Sequence, residues 1–296
     1  MSKQSPIDLD PIFEAYEKHD VNTDLKDIHL VLSGSGLKLF VFLLAIYVLH
    51  LLGYRFTKVT GTSGGAIVAA GLAANYDPDA SREERGRAVR KTVRMALKFD
   101  IPQLLDPTWF FWRIAFKLVG LIKGRKILKT LRQELPADFD DLLMPCEIAV
   151  FQVNMVDPRT RLLTSGDLPA AVRASMSIPY VFSPVQRGNM LLVDGGWQMN
   201  LALPEGGTGV LGMSFGTGDN DAPEKVPNNI VLGFKLLDGA MDEGMRRAVE
   251  RAPQAELVTL DTDLDGLNFF MTNNDKVQGL RDGADSIVRW SDGGGQ

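Results

Sequence analysis

One serine lies in a turn of small residues whose spacing can expose a nucleophilic oxygen. The segment Gly61-Thr62-Ser63-Gly64-Gly65 has the Gly-x-Ser-x-Gly spacing of a nucleophile elbow, a strained strand-to-helix turn that presents the serine hydroxyl. Flanking glycines give this bend room and backbone freedom, and the N–H groups that open the following helix favour developing negative charge. The alternative interpretation is a glycine-rich connection with no chemistry.

The histidines of the chain do not fit the usual serine hydrolase triad. In the α/β-hydrolase order the serine is followed by an acid and then by a histidine, whereas His19, His29 and His50 all precede Ser63. Either Ser63 is not a nucleophile, or its base is not a histidine. A candidate base lies downstream in Asp194-Gly195-Gly196, although Asp-Gly by itself is also a strong signal for a hairpin turn.

A second glycine turn, Gly34-Ser35-Gly36, follows a short apolar segment at 29–32. Successive backbone N–H groups in such a turn can face an oxyanion. A dinucleotide fingerprint would need glycine where Leu39 stands, and a Walker A loop would need Lys and Ser or Thr after a second glycine. Neither pattern is present, so the turn is either an oxyanion hole or a plain tight turn.

The hydrophobic pattern predicts the elements that position these turns. Strands are expected at 29–32 and 55–60, and helices at 39–52 and 66–74, so each glycine turn would join a strand to a helix. A short helix over 170–177 and further strands are expected at 146–153, 161–164, 190–193, 210–215 and 256–260. This alternation favours a single α/β domain with a long insertion.

Composition limits the class of protein. The 296 residues are 45% hydrophobic, which is enough for a large core, and the net charge of -5 argues against a general nucleic-acid-binding role. One cysteine, Cys146, forms no intrachain disulfide and is compatible with a reducing cytoplasm. One cysteine and three scattered histidines make no recognisable metal-ligand set.

Neither membrane insertion nor Sec export is predicted. The first eight residues are polar and acidic, without the cationic start and apolar core of a signal peptide. The apolar run at 39–52 is shorter than the roughly 17 to 25 residues that a membrane span needs, so a helix buried on all sides is expected.

Residues 77–135 form the insertion and differ in character from the rest. An arginine-rich helix at 81–98 is interleaved with glutamates, which favours a solvated face over a nucleic-acid site. It is followed by Trp109, Phe110, Phe111 and Trp112, and then by Arg113, Lys117, Lys123, Arg125 and Lys126. Such a mixture suits a lipid headgroup boundary, as a lid or docking surface. The alternative is a core helix whose cations extend outward.

Taken in order, the motifs resemble those of patatin-like phospholipases. The turn 34–38 resembles the family's Gly-Gly-Gly-x-Lys/Arg-Gly, the elbow matches Gly-x-Ser-x-Gly, and 194–196 matches Asp-Gly-Gly/Ala. Between them, 174–184 resembles Ala-Ser-x-Ser-Ile-Pro-x-x-Phe-x-Pro, and Asn200 stands where an asparagine commonly follows. The resemblance covers roughly residues 28–205, and it departs from the family at Ser35 and Leu39, where glycines are usual.

The resemblance implies a three-layer α/β/α fold with a mainly parallel central sheet, and a Ser-Asp dyad. Ser63 would be the nucleophile and Asp194 the base. The implied oxyanion hole is Gly34, Ser35 and Gly36, with support from Lys38, Gly61, Gly65, Gly195 and Gly196. The expected activity is hydrolysis of acyl esters of phospholipids or lysophospholipids through an acyl-enzyme, without metal or cofactor. Alternatives are a triacylglycerol lipase or transacylase on the same dyad, and a non-catalytic lipid-binding relative.

The expected organisation is a polar leader at 1–27, a catalytic domain at 28–290 and a flexible tail at 291–296. We expect the protein to be cytoplasmic and to meet its lipid substrate at a membrane surface as a peripheral protein. It has no nucleic-acid partner, and the sequence predicts neither an oligomeric state nor an activating protein.

Overall fold

The computed structural model describes residues 7–99, 120, 122–216, 229–266, 268 and 271–293. Within these residues one sheet contains eight strands: β1 (Lys26–Leu32), β2 (Tyr54–Thr62), β3 (Cys146–Gln152), β4 (Arg159–Leu163), β5 (Val185–Arg187), β6 (Met190–Asp194), β7 (Val210–Phe215) and β8 (Glu256–Leu260). The helices are α1 (Asp10–Glu14), α2 (Leu39–Leu51), α3 (Gly64–Asn75), α4 (Arg82–Ala96), α5 (Arg125–Glu134), α6 (Leu168–Ser175), α7 (Asn229–Arg251) and α8 (Asn273–Asp292).

The centre of the sheet is parallel. Strands β8, β7, β1, β2 and β3 are successive parallel neighbours, whereas β4 and β6 pair with β3 in the antiparallel sense and β5 forms a hairpin with β6. The carboxyl ends of parallel strands lie at one edge of a sheet, where α/β proteins bind their ligands. The turns that follow β1 and β2 therefore lie side by side.

Strands β2 and β6 meet end to end along β3. Strand β4 occupies one edge of β3 over its last five residues, so β2 and β6 share the other edge. Thr62, at the end of β2, pairs with Ala149, and Asp194, at the end of β6, pairs with the next residue, Val150. The register thus brings the residue after Thr62 next to Asp194.

Apolar side chains cover both faces of the sheet, which confirms the three-layer α/β/α prediction. Leu30 and Leu32 belong to the main core, whereas Val31, between them, joins a smaller cluster with Leu201 and Val210 on the other face. Every residue of α2 is buried, as expected for the run at 39–52, and α2 packs closely on α8. Among the described residues, no helix is both long and apolar enough to cross a membrane.

The segment predicted as a polar leader contributes to the core from residue 9 onward. Phe13 is fully buried, and its ring centroid lies 4.8 Å from that of Tyr47. The arginines of α4 form ion pairs with the acidic residues of this segment: Arg82 with Asp20 and Asp24, Arg85 with Asp24, Arg90 with Glu17, and Arg94 with Asp10. The ion pairs of α4 therefore hold the N-terminal segment against the rest of the domain.

Candidate active site

Ser63 connects β2 to α3 in a backbone conformation that side chains rarely adopt. Its φ is 53° and its ψ is -122°, outside the regions that are comfortable for a non-glycine residue. Gly61 and Gly65 pack against each other below the turn, because a Cβ at Gly61 would lie 2.5 Å from the carbonyl oxygen of Gly65. This is the strand–turn–helix context that a Gly-x-Ser-x-Gly motif requires.

Ser175 holds the elbow in place. The Ser63 N–H donates to the Ser175 hydroxyl at 2.8 Å, and that hydroxyl donates to the carbonyl oxygen of Ala149 at 2.6 Å. Ser175 is fully buried at the end of α6, so its hydroxyl satisfies two backbone groups that water does not reach. No local signal in the sequence distinguishes Ser175 from Ser177, and its role was therefore not predicted.

Asp194 is a buried carboxylate at the end of β6. Its Oδ1 accepts a hydrogen bond from the Gly196 N–H at 2.8 Å, and Gly195 opens the short 3₁₀-helix that follows. Burial raises the pKa of Asp194 to about 6, against the opposing effects of the nearby Ser63 hydroxyl and of the Gly196 N–H. The raised pKa makes this carboxylate a stronger base than a solvated aspartate.

The second oxygen of Asp194 remains available as an acceptor. Oδ2 is buried and has no hydrogen-bond donor within the described part of the chain. The Ser63 hydroxyl is close enough to lower the pKa of the carboxyl but stops short of a well-formed hydrogen bond. Such loose contacts between catalytic groups commonly tighten when substrate binds.

The predicted oxyanion turn needs one correction, at Gly34. The Gly34 N–H donates to the carbonyl oxygen of Asn200 at 2.9 Å, so it is occupied and does not face an oxyanion. By contrast, the N–H groups of Ser35 and Gly36, and that of Gly64 at the start of α3, donate to no acceptor among the residues described. These three N–H groups are the available donors, and that of Gly64 was not predicted.

Asn200 leaves no room for a side chain at position 34. A Cβ at Gly34 would collide with Oδ1 of Asn200 and would lie 3.4 Å from Cβ of Ser63. Asn200 is 9% exposed, and its Oδ1 is buried without a donor in the described structure. Its side chain thus lies between the oxyanion turn and the turn that follows Asp194. The sequence indicated Asn200 only by its distance from that turn.

An apolar cavity opens at Ser63. Its volume is about 30 Å³, well below the roughly 300–1,000 Å³ of a preformed ligand pocket, so it is a narrow cleft. Its lining combines the two glycine turns with aliphatic and aromatic side chains: Gly36, Leu37, Leu39, Ser63, Gly64, Ile67, Ile127, Met176, Ile178, Phe182 and Gly266. An apolar chain attached to a group at Ser63 would find a matching surface there.

The histidines lie away from this cavity. His50 is in the last turn of α2, about 17 Å from the start of that helix beside the oxyanion turn. The hydrogen bond from the Val21 N–H to the carbonyl oxygen of Leu51 places the segment that contains His19 at the same far end. His29 pairs with Lys58, five residues and about 16 Å before Ser63 along β2.

The remaining predicted residues have separate positions. The Lys38 ammonium lies 4.4 Å from the ring centroid of Phe215, which suits a bracing role beside the oxyanion turn. Trp109, Phe110, Phe111 and Trp112 lie outside the described residues. In the part of the chain that is described, no cluster of three His, Cys, Asp or Glu side chains could hold a metal ion.

A family model described as patatin-like phospholipase matches residues 30–205, more than half of the chain. The chain belongs to the patatin-like phospholipase family. This confirms the resemblance seen in the ordered motifs, and the family supports a lipid ester hydrolase.

Similar sequences occur among bacterial proteins. Uncharacterized protein YqhO of Bacillus subtilis is 30% identical over 247 residues, which are 74% of this chain and 80% of YqhO. An uncharacterized NTE family protein of Mycobacterium bovis is 26% identical over 170 residues. That match covers 57% of this chain and 42% of the mycobacterial protein, so this chain aligns with less than half of that relative.

Two solved structures of bacterial proteins are similar over most of the chain. VipD from Legionella pneumophila has a TM-score of 0.49 at 15% identity, over 91% of this chain and 67% of VipD. The type III effector protein ExoU has a TM-score of 0.42 at 16% identity, over 90% of this chain and 54% of ExoU.

Replacing Ser175 by alanine is expected to lower both ester hydrolysis and stability. The change leaves the Ser63 N–H and the Ala149 carbonyl unpaired, at about 1–3 kcal/mol for each buried group, and releases the strained elbow. We expect kcat to fall roughly 10- to 100-fold, since small misplacements of reacting groups have effects of this size. Initial rates on a short soluble ester and urea unfolding measure the two effects.

The matched control is Ser286→Ala. Ser286 is 3% exposed, accepts from the Asp261 N–H at 3.1 Å and donates to the carbonyl oxygen of Asp282 at 2.7 Å. Ser286 makes the same two kinds of hydrogen bond away from Ser63. The Ser286→Ala variant should therefore be less stable than wild type and have the same kcat. Equal losses of kcat in both variants would show that Ser175 acts only through stability.

Proposed function

We propose that this patatin-like protein hydrolyses fatty acyl esters of phospholipids or lysophospholipids with Ser63 as nucleophile and Asp194 as general base. The observation that supports this most directly is a strained, buried serine beside a buried carboxylate whose pKa is raised to about 6. A general base works best when its pKa is near the operating pH. Burial therefore supplies part of the basicity that a histidine supplies in a catalytic triad.

The first half of the reaction is acyl transfer to Ser63. Asp194 accepts the hydroxyl proton on Oδ2 while Oγ of Ser63 forms a bond to the ester carbonyl carbon. The N–H groups of Ser35, Gly36 and Gly64 donate to the oxyanion, aided by the N-terminus of α3. The tetrahedral intermediate then collapses, and the departing alcohol takes the proton from Asp194, which leaves an acyl-enzyme.

The second half restores the enzyme. Asp194 accepts a proton from water as the water oxygen attacks the acyl carbonyl, and the same N–H groups stabilise the second oxyanion. Oγ of Ser63 leaves with the proton that Asp194 returns, and a free fatty acid is released. The apolar lining of the cavity, including Ile67, Met176 and Phe182, suits the acyl chain through both halves of the reaction.

Product analysis tests this function. We expect free fatty acid to be released from phospholipid vesicles or lysophospholipid micelles by the wild-type protein and by Ser286→Ala, but not by Ser63→Ala. A fluorophosphonate probe should label the first two proteins and not the third. Release from a triacylglycerol emulsion alone would reassign the enzyme as a triacylglycerol lipase. An unlabelled wild-type protein that still binds vesicles would be a non-catalytic lipid-binding relative.

A further inference from the structure

An exposed tyrosine lies beside the cavity in a strained conformation. Tyr180 is 72% exposed, has a φ of +69° and lies between two cavity residues, Ile178 and Phe182. Its side chain makes no hydrogen bond to any described residue. A bulky residue with positive φ is a genuine outlier, and such strain persists where its surroundings impose it, often at functional sites.

Backbone hydrogen bonds on both sides impose this conformation. The N–H groups of Val181 and Phe182 donate to the carbonyl oxygen of Ile178 at 3.2 and 2.9 Å. The Ile122 N–H donates to the carbonyl oxygen of Val181 at 2.9 Å, and the Ser183 N–H donates to that of Ile122, also at 2.9 Å. Tyr180 is therefore presented to solvent by a fixed turn that is joined to the segment before α5.

That segment and the start of α5 carry exposed cations: Lys123, Arg125, Lys126 and Lys129. Ile127, which follows Lys126, is fully buried and lines the cavity, so α5 covers the cavity and its cations lie on the solvent side of that helix. Lys123 and Lys129 form no ion pair with a described residue, in contrast to the paired arginines of α4. Together with Tyr180 they form what we call the entrance face: Tyr180, Lys123, Arg125, Lys126 and Lys129.

We infer that the entrance face docks on an anionic lipid bilayer and directs the cavity toward its substrate. The inference rests on the proposed lipid hydrolysis. The protein as a whole carries a net charge of -5, which an anionic bilayer repels. Charges more than about 8 Å apart are screened at physiological salt, so a local basic face can determine whether the protein binds. Tyrosine prefers the level of the lipid headgroups, and nearby lysines are attracted to anionic headgroups.

Vesicle cosedimentation in the inactive Ser63→Ala background tests the inference. We expect the protein to bind mixed phosphatidylserine–phosphatidylcholine vesicles more tightly than pure phosphatidylcholine, with affinity that falls as salt rises. Lys123→Gln with Lys129→Gln should weaken binding to the mixed vesicles roughly 10- to 30-fold, because each lysine near the surface contributes about 1 kcal/mol, and should flatten the salt dependence. Tyr180→Asn should weaken binding roughly 3- to 10-fold.

The controls separate docking from folding. Asparagine tolerates positive φ better than tyrosine does, so Tyr180→Asn should fold at least as well as wild type, which thermal unfolding checks. Lys18→Gln with Lys91→Gln removes two other exposed lysines, and Val156→Asn removes a fully exposed apolar side chain elsewhere. Neither should change vesicle binding by more than about twofold. Equal losses in the control and entrance-face variants would overturn the inference, as would binding that ignores phosphatidylserine.

The result is independent of catalysis because Ser63→Ala cannot turn over. If the inactive protein docks as expected but the wild-type protein releases no fatty acid, the docking inference holds and the proposed hydrolysis fails. If the wild-type protein hydrolyses dispersed lysophospholipid but neither it nor Ser63→Ala binds vesicles, the proposed hydrolysis holds and the docking inference fails. Binding of another protein at this face, with no affinity for vesicles, counts against the bilayer.

Discussion

Asp194→Asn should lower hydrolysis by about 10²- to 10⁴-fold, the contribution expected of a general base. Asparagine has nearly the same size and can still accept the Gly196 N–H, which donates to Asp194 at 2.8 Å. It cannot accept the proton of Ser63. Loss of kcat in a variant with an intact fold, measured on a short soluble ester, would therefore report the missing base.

The same substitution should stabilise the protein at neutral pH. The pKa of Asp194 is raised from 3.8 to about 6 in the folded state, so the folded protein binds the proton more tightly than the unfolded chain does. Stability then falls as pH rises from about 4 to about 6 and stays lower above that range. A shift of roughly 2 units corresponds to about 3 kcal/mol, which asparagine would recover at pH 7 because it has no charge to bury.

Urea unfolding at several pH values measures how the stability changes with pH and checks the direction of that change. The stability gain of Asp194→Asn should be largest above about pH 6 and should shrink toward zero near pH 4. Ser63→Ala is the control, because it blocks the same reaction and keeps the buried carboxylate. Since the Ser63 hydroxyl lowers the pKa of Asp194, the stability of this variant should show a pH dependence at least as large as that of wild type. A gain for Asp194→Asn that does not vary with pH would mean that the carboxylate is not penalised by burial.

Local patterns were sufficient for the elements near Ser63 but not for the contact with Asp194. The segments 210–215 and 256–260 were predicted at the bounds that β7 and β8 have, because short apolar runs bounded by polar or glycine-rich segments predict strands. The proximity of Ser63 to Asp194 depends instead on the register of β2 and β6 along β3. No local pattern encodes that register. The positions of the histidines made Asp194 a candidate base, and the family resemblance implied the pair.

Long-range contacts also explain what the sequence analysis missed. The Gly34 N–H is occupied by Asn200, and Ser63 is held by Ser175; both partners lie far away in sequence. The run at 39–52 predicted a fully buried helix, but not the amphipathic helix α8 that covers it. A helix that is apolar on all sides predicts that other elements cover it, but its sequence does not indicate which elements they are.

Gly64→Ala should lower kcat by about 10²- to 10³-fold, the effect of losing one oxyanion donor. The added methyl group would collide with the carbonyl oxygen of Gly36 and the hydroxyl of Ser35. Because Gly36 has a φ of +52° and a Cβ there would collide with Gly266, the turn has little room to retreat. We therefore expect its N–H groups to move away from the reacting carbonyl. Steady-state kinetics on a short soluble ester should show the loss mainly in kcat, since the acyl pocket is retained.

Gly71→Ala is the matched control within the same helix. Its methyl group would meet the end of the Met95 side chain, which can rotate away, and would make an ordinary contact with the methyl group of Thr92. Alanine favours a helix interior over glycine by about 1 kcal/mol. This variant should keep the wild-type kcat and be at least as stable. If Gly64→Ala also keeps the wild-type kcat, the N–H groups beside α3 do not stabilise the oxyanion. Catalysis would then depend on Ser63 and Asp194 without the turn that the family resemblance assigned to them.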